Sequence, residues 1–150
     1  MITRGTTPYH SFILPVLKDE IEELWITYCQ NENIIFERQW TSESDDERLE
    51  IINLLDLYEN ASMGEEGLTD EEKTWSQLTV HLTQEETLGF KFWPAARKNI
   101  AIIQIRFVTV DGEAYGSDPV AERIFGVRHD GVIGFNREEP VEEPGEELNG

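Results

Sequence analysis

Residues 100–110 read IAIIQIRFVTV, and Asp111-Gly112 follows directly. The run is rich in β-branched side chains and is bounded by a turn dipeptide, the pattern of a strand. At period two, Ala101, Ile103, Ile105 and Phe107 share one face, and Gln104 and Arg106 fall on the other. That predicts a central strand with one wholly apolar face, which other strands must pair with and cover.

Working outward, four further stretches read as strands. Tyr9 to Pro15 alternates, with His10, Phe12 and Leu14 on one side, and its flanking prolines suit a sheet edge. Leu24 to Gln30 sets Leu24, Ile26 and Tyr28 against Trp25, Thr27 and Cys29. Asn31-Glu32-Asn33 then turns the chain into Ile34 to Trp40, an antiparallel hairpin. Trp75 to Thr83 alternates again, with Leu78, Val80 and Leu82 on one face. Gln84 to Phe90 reads as a polar turn, and Glu113–Tyr115 with Val120–Val127 completes a return past the Asp111-Gly112 tip.

The segment 41–74 breaks the pattern. Ser44 and Glu47 have capping-box spacing, and Ile51, Leu54, Leu55 and Tyr58 recur at helical spacing, which predicts a helix from about Asp45 to Asn60. Its apolar stripe either packs on the sheets or meets a partner. The first is favoured, because an exposed stripe of two leucines and an isoleucine invites aggregation. Residues 1–8 read as a flexible lead-in. The acidic, proline-bearing stretch after about Phe135 is expected to be disordered, since it buries too little apolar area to offset its ordering entropy.

About seven short strands with one inserted helix predict an all-β sandwich over 1–135, with a helical insertion at about 41–74 and an acidic tail at 136–150. The expected core comprises Phe12, Leu14, Leu24, Ile26, Ile34, Phe36, Leu78, Val80, Leu82, Ile103, Ile105 and Phe107.

The chain has 150 residues and a formal net charge of −19, with 31 acids against 12 lysines and arginines. That balance argues against unaided binding to nucleic acid or an anionic membrane, since phosphate would be repelled. A single cysteine, Cys29, allows no intrachain disulfide. No apolar signal segment follows Met1, and no run is long enough to span a membrane. His10, His81 and His129 have no partners at metal-ligand spacing, and no nucleophile motif or phosphate loop is present. No catalytic, cofactor or metal residue is therefore nominated, and no enzymatic activity is expected. The aromatics point instead to contact surfaces. Trp25 faces away from the apolar side of its strand, and Phe92, Trp93 and Arg97 form the one cationic, aromatic stretch. These four are the candidate interface residues.

Several segments together resemble small phage and prophage structural proteins of Gram-positive bacteria. They are Ile2-Thr3-Arg4-Gly5-Thr6-Thr7-Pro8, Phe12-Ile13-Leu14-Pro15, Trp25-Ile26-Thr27-Tyr28 with Gln30-Asn31, Leu78 to Thr87, Ile103-Gln104-Ile105-Arg106 and Asp130-Gly131-Val132-Ile133. In order and spacing they cover most of residues 2–134. The pattern is similar to the N-terminal, immunoglobulin-like domain of receptor-binding baseplate proteins. The resemblance implies a non-enzymatic module of the tail or baseplate region. It would work through other phage structural proteins or self-association, in the virion or in the host cytoplasm during assembly. Two departures stand out: the long acidic insertion at 41–74, and His10 where an apolar residue is usual. Two other readings come from composition. One is a carbohydrate-binding module stacking sugars on Phe92 and Trp93. The other is an acidic inhibitor or nucleic-acid mimic acting on a basic host protein.

Overall fold

The computed structural model describes residues 1–44, 46–59, 67–94 and 99–126. Their strands are β1 (Ile2–Thr3), β2 (Tyr9–Leu14), β3 (Ile21–Gln30), β4 (Asn33–Thr41), β5 (Leu49–Asn53), β6 (Ser76–His81), β7 (Ile100–Thr109), β8 (Ala114–Gly116) and β9 (Val120–Phe125). Two short helices accompany them, α1 (Leu54–Glu59) and α2 (Gln84–Leu88). The architecture is an all-β sandwich. One sheet runs β1-β9-β7-β3-β4, with β8 also on β7, and the other runs β2-β6-β5. Every pairing is antiparallel except β1 with β9.

β7 is the middle strand of the large sheet, as its apolar face demands. Ala101, Ile103, Ile105 and Phe107 are buried, while Gln104 and Arg106 are exposed. Gly112 takes φ +90° at the hairpin tip, a conformation that favours glycine. Asn31 and Glu32 both have positive φ between β3 and β4, as a two-residue primed hairpin turn requires. One contiguous core joins the sheets, with Leu24, Ile26, Tyr28, Ile103 and Ile105 on one side and Leu14, Leu49, Ile51, Leu78 and Val80 on the other.

Four expectations need correction. The helix predicted from Asp45 is instead a turn and then strand β5, whose Leu49 and Ile51 pair with Val80 and Leu78 of β6. Among the described residues of that stretch, only Leu54–Glu59 is helical. Leu49 and Ile51 fit period two, whereas Ile51, Leu54 and Tyr58 fit 3.6, and over so short a window the open edge of β6 decides. Ser44 caps no helix, because its hydroxyl accepts from the Thr41 N–H at 2.9 Å.

The polar turn expected over 84–90 is helix α2. Here the capping box is real: Thr83 Oγ1 accepts from the Glu86 N–H at 3.1 Å, and Glu86 Oε1 accepts from the Thr83 N–H at 2.8 Å.

Ile34 is 63% exposed rather than core. A bulge pairs Tyr28 with Phe36 but Cys29 with Ile34, so Ile35 is the extra residue. Ile35 and Phe36 both pack against the core, and Ile34 turns out.

Residues 1–8 are not a loose lead-in. Ile2 is fully buried and lies beside Ile124. Arg4 donates to the Phe90 carbonyl at 2.7 Å and to the Leu88 carbonyl at 3.0 Å, closing the end of α2. The tail from 136 lies outside the described residues.

Candidate interaction surface

Trp25 sits in mid-β3 on the outer face of the large sheet, between Gln39 of β4 and Arg106 of β7. It is half-buried. Its surroundings are polar: Arg106 reaches Glu37 at 3.6 Å, Thr27 donates to Glu37, and Gln39 donates to Glu23. The face is therefore a lattice of exposed hydrogen bonds and ion pairs around one indole.

Phe92 and Trp93 lie elsewhere. Gln30 grips Lys91 through both main-chain groups, accepting from its N–H at 2.7 Å and donating to its carbonyl at 2.8 Å. That anchors this loop at the far end of β3, five residues or roughly 17 Å of strand from Trp25. Phe92 packs against the core, and its ring presses on Gly126, where an added Cβ would come within 2.7 Å of it. Trp93 is 45% exposed, and Asn99 clamps its main chain at 2.8 and 3.0 Å. Arg97 lies outside the described residues. The structure thus separates Trp25 from the aromatic loop, in which Phe92 packs against the core and Trp93 is exposed.

A further surface is the outer edge of β2, the alternating, proline-flanked strand that the sequence already suited to edge pairing. Leu82 N–H donates to the Pro8 carbonyl at 3.0 Å, which fixes Pro8/Leu82 as a hydrogen-bonded pair. Antiparallel alternation then makes His10/Val80, Phe12/Leu78 and Leu14/Ser76 the bonded pairs. The main-chain groups of Tyr9, Ser11 and Ile13 point outward, and no strand among the described residues takes them. Tyr9 and Ile13 are 67% and 52% exposed. Tyr9 stacks on His81 with ring centroids 3.9 Å apart.

Beside this edge the two sheets gape. Phe12 and Leu14 from one sheet, and Ile105, Phe107, Tyr115 and Val120 from the other, line an apolar groove of about 310 Å³. The Tyr115 hydroxyl donates to Glu113 at 3.0 Å. Its pKa is raised by that hydrogen bond and by the negative charges of Glu113, Glu20 and Asp111. One carboxylate, Glu113, therefore stands at Tyr115, a lining residue of the apolar cleft. The signal legible in advance was the uncharged run Tyr9–Val16, in a chain that is 29% charged.

Among the described residues, no three His, Cys, Asp or Glu side chains are grouped to hold a metal ion. No helix among them is long and apolar enough to cross a membrane. No family model matches the chain, and no curated protein matches it either.

Proposed function

We propose that this chain is a non-enzymatic structural or adaptor module of phage or prophage origin, from the tail or baseplate region, that acts through protein–protein contact. The observation that carries the contact reading is the β2 edge, three rungs of outward main-chain donors and acceptors beside an apolar groove. Edge strands of soluble proteins are normally guarded by charge, and one without such guards is suited to accept a partner. The phage assignment is supported by the ordered segments from Ile2 to Ile133 and by nothing in the fold itself. Its test is to tag the chain in a Gram-positive host carrying the prophage, induce, and fractionate particles and tail intermediates on a gradient. The tagged chain is expected in those fractions. A chain that stays in the free-protein fractions at every stage of assembly overturns the reading.

A further inference from the structure

The groove beside β2 has a polarity that specifies its occupant. Residues 9–16, YHSFILPV, hold no Asp, Glu, Lys or Arg, so neither attraction nor repulsion guards the edge itself. Pro8 and Pro15 only bracket it, and no strand among the described residues takes the outward groups of Tyr9, Ser11 and Ile13. An extended segment laid there would pair with those groups. Its inward side chains, spaced at every second residue, would fall over Phe12, Leu14, Ile105, Phe107 and Val120. At the other side of the same groove stands Tyr115, held by Glu113 in the field of Glu20 and Asp111. Occupants of like charge are disfavoured there. A second copy brings the same net charge of −19 and an edge strand without a single cation.

We propose that the β2 edge takes an extended segment of a partner protein as an added strand, apolar at alternate positions over the groove and carrying Lys or Arg at the end near Tyr115 and Glu113. This deepens the module reading above, on which it rests, by naming the chemistry of the partner.

The first test is amide exchange on the full, free chain. The Tyr9, Ser11 and Ile13 amides are expected to exchange about a hundred-fold faster than those of His10, Phe12 and Leu14. Protection of the first three overturns the proposal, because the edge is then already occupied. Dependence on concentration would give it to a second copy, and independence to the chain's own segments.

The second test titrates the full chain against fluorescein-labelled nonapeptides in which valine alternates with threonine, ended by two lysines, two glutamines or two glutamates. Fluorescence anisotropy is expected to rank lysine tightest, about ten-fold over glutamate, with the gap closing as salt rises. Ile13→Lys, at an exposed site that the fold does not need, should abolish binding. Glu113→Gln, which keeps an acceptor for Tyr115, should narrow the lysine preference. Equal binding of all three peptides, no binding, or binding unchanged by Ile13→Lys each overturns the proposal. An Ile13→Lys chain that still enters phage particles would remove the groove and leave the module reading standing. A chain that binds the lysine peptide but never enters particles would do the reverse.

Discussion

His10 is a titratable side chain turned inward, 9% exposed, on a strand whose other inward residues are Phe12 and Leu14. Burial raises the pKa of the Tyr28 hydroxyl far above its ordinary value, with the Arg38 charge opposing, so Tyr28 remains a donor. It donates to His10 Nδ1 at 2.7 Å, which leaves the ring proton on Nε2, facing the Met1 carbonyl. Burial also lowers the His10 pKa, and the Met1 hydrogen bond only partly offsets that. In the unfolded chain His10 titrates near 6.5, so above that pH both states are neutral and nothing is lost. As pH falls through 6.5, the unfolded state takes up a proton that the fold resists, and stability drops until the folded value is passed. Urea titrations at pH 7.5 and 5.5 should show this loss, and His10→Gln should flatten it. An identical pH slope in the variant would assign the effect to other groups. The alternation of Tyr9–Pro15 already placed His10 inward. Its partner is eighteen residues away across the sandwich, and no local pattern reports that pairing.

Arg38 is another polar side chain on an inner face. It sits between Phe36 and Trp40 on the inner face of β4, its side chain 10% exposed. It donates to Glu86 at 2.9 Å, to the Arg48 carbonyl at 2.8 Å and to the His81 carbonyl at 3.1 Å. Glu86 is also the capping-box residue of α2, so one carboxylate serves both the helix and the guanidinium. Arg38→Ala takes the ion-pair partner from Glu86 and one of two donors from each of the Arg48 and His81 carbonyls, and should cost about 3–5 kcal/mol by chemical denaturation. Arg38→Met, which keeps the stem over Phe36, should cost less. Equal losses would mean that the lost charge and hydrogen bonds, rather than packing of the stem, set the effect.

At the level of elements, what the sequence made legible was set by how each element is stabilised. β7 and the β3–β4 hairpin were plain because long alternation and turn chemistry are local. β5 was hidden because Leu49–Asn53 is short and owes its form to the edge of β6, a tertiary term that overrides a weak helical spacing. β1 was hidden for the same reason: two residues hold no period, and Ile2 is ordered by Ile124. The interaction surface was half legible. The uncharged run 9–16 was visible as text, but the groove needs two sheets, and the separation of Trp25 from Phe92 needs β3 between them. Because β1 is a built part of the sheet, Ile2→Ala should cost about 2–4 kcal/mol in thermal or urea unfolding. A cost near zero would return residues 1–8 to the status of a lead-in.

The whole molecule carries its −19 charge against itself. Such self-repulsion works against any compact state, and dissolved salt screens it over about 10 Å at 0.1 M. The unfolding midpoint measured by calorimetry should therefore rise by a few degrees as sodium chloride is increased. A falling midpoint would mean that the specific ion pairs, such as Arg38 with Glu86, outweigh the repulsion. The pairing of β1 with β9 has a further consequence, which concerns time. A ribosome makes Ile2 some 120 residues before Ile124, several seconds earlier at ~5–20 residues per second. Through that interval the first strand has no partner strand among those described. This rung of the large sheet therefore closes late, and the nascent chain keeps Ile2 without its buried neighbour until β9 emerges.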